Sequence, residues 1–192
     1  MINHIDLSSV LRRTVCDLYS DLVTRPTGAA VRDGIERQLA ELGDRTLTVI
    51  DFSHVGLLDY SCADEIVAKL LMRYCAPAPE AVPDEARGRD AYFLFRGVSD
   101  SHLDAIETVL ERHALAIVAE THDGATMLVG AVGDDERRAW EAMCRLGRVA
   151  AGELARELGL QPAEAEEALD TLCRRRLAMR LDEAYLAVGA AP

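Results

Sequence analysis

Lysine is almost missing from this chain: Lys69 is the only one, and the other cations are arginines that form no stripe. With a net charge of −12 there is no overall cationic excess of the kind phosphate binding needs, which argues against a main role in holding nucleic acid or an anionic membrane. Paired cysteines are lacking too. Cys16, Cys62, Cys75, Cys144 and Cys173 are odd in number, scattered, and show no Cys-x-x-Cys spacing, so reduced thiols in a cytosol are expected. No charged-then-apolar leader stands at Met1 and no apolar run approaches the roughly 20 residues needed to span a bilayer. The expectation is a soluble, cytoplasmic protein with no membrane segment.

Catalytic signatures are also missing. There is no nucleophile elbow, phosphate-binding loop, dinucleotide fingerprint or zinc-helix histidine spacing, and no internal repeat. Asp51, Asp59 and Asp64 crowd around one turn, but no His or Cys ligand set gathers there and no complete set of catalytic roles can be assembled. No enzyme activity, cofactor or metal is expected. His54 is read as an ordinary loop histidine.

What is present is enough apolar material for a packed core, 49% of 192 residues. The informative stretch is Thr46 to Tyr74 (TLTVIDFSHVGLLDYSCADEIVAKLLMRY). Thr46 to Phe52 is apolar or β-branched without alternation, as in a central strand covered on both faces. After a short turn, Ala63, Ile66, Val67, Leu70, Leu71 and Tyr74 follow the spacing of a one-sided helix, with Ser61 at its expected start. Glu65, Lys69 and Arg73 occupy the opposite face, acid first.

Before this stretch, Asp6 or Ser8 is expected to cap a helix carrying Leu7, Val10, Leu11, Val15, Leu18 and Leu22 on one face, with no strand ahead of Thr24. Thr24-Arg25-Pro26-Thr27-Gly28 is expected to break that helix, because the residue before a proline is pushed away from helical geometry, and a second helix follows with Val31, Ile35, Leu39 and Leu42 inward, ended by Gly43 and Asp44. After it, the proline-bearing segment from Ala76 to Asp90 reads as an exposed loop. Ala91 to Val98 is a second buried strand, followed by a helix capped at Asp100 or Ser101, with Leu103, Ile106, Leu110 and His113 inside. Leu115 to Glu120 and Thr126 to Val129 flank His122-Asp123-Gly124, a hairpin signal that gives the sheet an antiparallel edge. The glycine-rich Gly130 to Asp135 marks a boundary. Beyond it come helices over Glu136 to Leu146, Ala151 to Leu158 and Pro162 to Arg176, then a small hairpin from Met179 to Leu181 and Tyr185 to Val188.

A strand ending in Asp51-Phe52-Ser53, a turn with Val55, and Asp59 two positions before Ser61 at a helix start together resemble the STAS family of sulphate transporters and anti-sigma-factor antagonists. The likeness runs from about Val23 to about Ala131, and LVTRPTGAAVRDGIERQL followed by VIDFSHVGLLDYSCADEIVAKL is most similar to its STAS-like bacterial branch. Cys62 and Ala63 stand where the antagonists carry glycine and leucine. The resemblance implies a non-enzymatic switch that binds a protein partner, a kinase or an anti-sigma-like regulator, around the helix start, with Ser61 at the phosphorylated position. Asp59, Asp64 and Arg25 are its companions. Physically, phosphate on Ser61 would face the free N–H groups of the helix start while Asp59 and Asp64 sharpen the negative surface. The plain alternative is that Ser61 only caps the helix, with Asp64 three residues on.

The segment RVAAGELARELGLQPAEAEEALDTLCRRRLAMRLDEAYLAV is similar to a winged helix-turn-helix domain. That resemblance implies a DNA-reading helix, yet Glu164, Glu166, Glu167 and Asp170 occupy the half that would meet base edges. Arg174, Arg175 and Arg176 are the remaining candidates for phosphate contact. The expected architecture is an α/β, STAS-like mixed sheet with packed helices over residues 1–131 and a small winged helix over residues 135–190. The second part is read as a module for protein contact or homodimerisation, with DNA binding by a transcriptional regulator as the alternative.

Overall fold

The computed structural model describes residues 2–15, 20–42, 46–75 and 91–190. The expectations for Cys16 and Leu18, for the helix stop at Gly43 and Asp44, and for the loop between residues 76 and 90 lie outside them. The chain divides into two compact units, Met1–Ala131 and Val132–Pro192.

The first unit is α/β, with a five-stranded mixed sheet in the order β1-β2-β3-β4-β5. Its strands are β1 (Ile2–Asp6), β2 (Thr46–Asp51), β3 (Ala91–Val98), β4 (Ala116–Thr121) and β5 (Thr126–Gly130). The first four run parallel, and β5 returns antiparallel to β4 as the hairpin signal predicts. The opening strand corrects the expectation that none precedes Thr24. It was hidden because β1 lies at a sheet edge: only Ile5 of its five residues is buried, so Asn3 and His4 are tolerated and no apolar run betrays it.

Helix α1 (Leu7–Thr14) follows, capped by the Asp6 carboxylate accepting from the Ser8 backbone N–H. It is shorter than its apolar spacing predicts. Val15 is its exposed C-cap, and Leu22 belongs instead to a lone parallel bridge with Leu58. Helix α2 (Arg25–Ala40) starts behind a Thr24 cap with Pro26 in its first turn, where a missing N–H costs nothing. It buries Gly28, Val31, Gly34, Ile35 and Leu39.

The segment after β2 continues through α3 (Tyr60–Ala63), a π-helical turn (Asp64–Ala68) and α4 (Lys69–Tyr74). Helix α5 (Asp100–Arg112) is capped by Ser99, one residue ahead of the expected caps. One apolar cluster joins the helices to a single sheet face. Ile5, Ile50, Phe52, Phe93, Phe95 and Ile117 from the strands meet Leu11, Ile35, Ile66, Leu70, Ile106 and Leu110 from the helices.

The second unit contains α6 (Asp134–Leu146), α7 (Ala151–Leu158), α8 (Pro162–Arg174) and an antiparallel pair, β6 (Ala178–Leu181) and β7 (Ala184–Ala187). Its core includes Trp140, Met143, Leu154, Leu169, Leu172 and Tyr185. Gly159 adopts a left-handed conformation at φ +68° after α7, which lets the chain turn sharply into α8. Among the described residues, no helix is long and apolar enough to cross a membrane.

Candidate functional site

The start of α3 is built by Asp59, and Ser61 has a different place from the one its sequence position suggests. Asp59 is the N-cap: its Oδ1 accepts from the Cys62 backbone N–H at 2.8 Å. Ser61 lies two residues inside, half-buried, with its hydroxyl donating to the two Asp59 carboxylate oxygens at 2.9 and 3.1 Å. Asp59 wins the cap because its extended backbone lets a short carboxylate reach forward to the third residue. Asp64 takes no part in the cap.

Beneath this start, the π-helical turn carries two consecutive buried carboxylates. Asp64 Oδ2 accepts from Arg25 Nη1 at 3.1 Å, and its Oδ1 lies 3.0 Å from His113 Nε2, which donates to it. Glu65 Oε1 accepts from the same Arg25 nitrogen at 2.9 Å and from Lys69 Nζ, while Oε2 accepts from Arg32. Burial by itself would raise the Asp64 carboxyl, but hydrogen bonds from His113 and Arg25 outweigh it and hold the group below its ordinary range. Glu65 behaves alike: burial pushes up, and Lys69, Arg32 and Arg25 together hold it below its ordinary value.

The sequence reading put Glu65 on the outward face of the helix. Its side chain is 4% exposed. The favoured pairing of Glu65 with Lys69 does form, but that face meets α2, whose Arg25 and Arg32 lie seven residues apart on one side with Gly28 between them. Gly28 permits the approach, since a Cβ there would sit 3.0 Å from Cys62 Cα and from Glu65 Cβ. Two arginines flanking a glycine on one helical face, opposite consecutive acids, is the signal that could have revealed the network. Nothing in the spacing marks His113, which caps α5 rather than filling its inner face. Arg112 also reaches this region, donating to the Tyr60 hydroxyl at 2.6 Å.

Of the expected residues, Arg25 and Asp64 are therefore brought together, as are Asp59 and Ser61; the Asp64 backbone N–H donates to the Ser61 carbonyl, and no side-chain hydrogen bond joins the two pairs among the described residues. Asp51 stands apart and accepts from the Ser53 backbone N–H at 2.8 Å. Cys62 is fully buried, its thiol donating to the Thr24 carbonyl at 3.0 Å, and burial with the nearby Asp59 pushes it up to about 11. A thiol so placed is a packing group and no nucleophile at neutral pH. Beside the helix start, Val23 and Leu57 flank the Leu22–Leu58 bridge and are exposed, at 42% and 58%.

The arginine run in the second unit is dispersed. Arg174 is exposed and donates to Thr171 Oγ1 at 2.8 Å, whereas Arg175 is half-buried against Glu136 at 2.6 Å. Arg176 sits in a left-handed turn at φ +59° and is half-buried. Glu164, Glu166, Glu167 and Asp170 are all exposed on α8. In comparison with known proteins, the chain matches no family model, and no curated protein matches it.

Proposed function

We propose that this chain is a non-enzymatic regulatory protein whose first unit, a STAS-like domain, binds a signalling partner through the rim around Ser61, with phosphate on Ser61 as the switch. The observation that carries this reading is the division of labour at the helix start. Ser61 is half-buried, and among the described residues its hydroxyl is held by the Asp59 carboxylate alone, while the turn beneath is pinned by Arg25, Arg32, Lys69 and His113. A phosphate on Ser61 would expel Asp59 from its hydroxyl by like-charge repulsion and compete for the N–H groups of the first turn. The buried network needs no rearrangement. Charge is added at a rim where Val23, Leu57 and Tyr60 supply contact area, so a partner would sense it without refolding of the domain.

The test is capture of partners from the source cell with wild type, Ser61→Ala and Ser61→Asp, alongside intact-mass measurement after incubation with cell extract and ATP. A partner set that changes between the alanine and aspartate forms, with added phosphate mapped to Ser61, supports the switch. Identical partner sets across all three sink it.

The second unit is proposed as a winged-helix module used for protein contact. Three helices followed by a hairpin suit that architecture, and the exposed acids of α8 repel phosphate from the helix that would read a major groove. Gel-shift titration at low salt checks this. Sequence-selective duplex binding lost on Arg174→Glu would establish the DNA-binding reading in its place.

A further inference from the structure

We propose that a groove within the second unit, between the end of α7, the outer side of α8 and the start of α6, takes a basic amphipathic helix from a partner protein. Its floor is apolar: Leu158, Leu160 and Ala168 line it and remain half-buried. Its rim is acidic, with Asp135, Glu164 and Glu167 exposed around that floor. The volume is about 340 Å³, near the lower end of ligand pockets. That suits one or two anchoring side chains of a helix better than an enclosed small molecule.

Charge complementarity selects the occupant. Glu136 is already matched by Arg175, and Arg138 lies near Asp135 at 3.7 Å, an exposed pair of little strength. Glu164 Oε2 accepts from the Gln161 backbone N–H at 2.8 Å, and the Glu167 carboxylate has no hydrogen bond or ion pair among the described residues. Glu166 and Asp170 extend the acidic surface along α8. An apolar floor inside a carboxylate rim is the complement of a helix carrying Leu or Met anchors flanked by Arg or Lys. Acidic segments and nucleic acid are repelled by the same rim.

This inference rests on the reading of the second unit as a protein-contact module and adds the chemistry of the partner. The test uses the full chain and a fluorescein-labelled helical peptide with leucines on one face and Lys and Arg on the other, followed by anisotropy. A counterpart with every cation replaced by Glu is the control. The basic peptide should bind, weaken with salt, and lose about tenfold in affinity on Glu164→Lys with Glu167→Lys, as expected from reversing two exposed charge contacts. Ala168→Trp, which fills the floor, should weaken it too. Ser61→Asp should leave it unchanged, which separates this site from the Ser61 rim. Circular dichroism confirms that each variant is folded, and Glu167→Lys alone serves if the double variant is not.

Equal binding of the acidic peptide, or affinity indifferent to all three substitutions, overturns the proposal. So does sedimentation showing a dimer that Ala168→Trp dissociates, which makes a second copy the occupant. Duplex DNA competing for the groove overturns both this proposal and the protein-contact reading. A natural partner that binds the second unit unaffected by Glu164→Lys and Glu167→Lys defeats the groove alone and leaves the reading standing.

Discussion

Replacing Glu65 with alanine removes the shared acceptor of Arg25, Arg32 and Lys69 at once. Arg32 has a side chain only 20% exposed and keeps the weaker contacts to Asp33 and Glu36. The cations left behind are 51%, 20% and 40% exposed and can turn to solvent, so Glu65→Ala should cost less than the ~3–5 kcal/mol of stranding a fully buried charge, read in urea unfolding as a lower midpoint at unchanged slope. Protonation does the same more gently. Asp64 and Glu65 are both depressed in the folded state, so their contribution is whole above their ordinary values of 3.8 and 4.5 and is lost as pH falls through the lower folded values. Unfolding free energy of the first unit should therefore decline below about pH 5, and the decline should be shallower in Glu65→Gln. An acid limb of equal steepness in that variant would count against the network. At this scale the sequence was least legible. Asp59 and Ser61 both have the chemistry of a cap, and only the backbone decides between them. Glu65 looks solvated on a helical wheel until the arginine-bearing face of α2 is laid against it.

The continuous run from α3 through the π-helical turn to α4 depends on two features of its neighbours. Its first turn hangs on Asp59. Asp59→Ala should cost about 1 kcal/mol, and Asp59→Asn much less, because the amide oxygen still accepts from the Cys62 N–H. If both variants melt alike, charge rather than capping is what matters there. The second feature is Gly28. Ordinarily Gly→Ala inside a helix stabilises, but at Gly28 the new Cβ would press on Cys62 Cα, a backbone atom that cannot swing away. Gly28→Val should cost about 2–3 kcal/mol of overpacking, read as a drop in the melting temperature of the first unit. Elements with strong periodicity were legible: β2, β3, α5 and the β4–β5 hairpin lie within a residue or two of their sequence signals. The π-helical turn was not, since its residues Asp64 to Ala68 carry no breaker and keep an ordinary helical pattern. β1 escaped for the opposite reason, being an edge strand held by pairing with β2 more than by its own apolar content.

Over the whole molecule, two compact units predict two unfolding transitions, and the sequence supplies the means to see them apart. Trp140 is the only tryptophan and is 2% exposed in the second unit, so its fluorescence reports that unit. Far-ultraviolet circular dichroism reports both. The buried charge network lies wholly in the first unit, and a Glu65→Ala substitution acts only there. In that variant the dichroism midpoint should shift to lower denaturant while the Trp140 transition stays in place, because Glu65 and Trp140 belong to different compact units. Lowering the pH from 7 to about 4 should separate the two signals in wild type in the same direction. Coincident transitions under both perturbations would mean that the units unfold as one cooperative body.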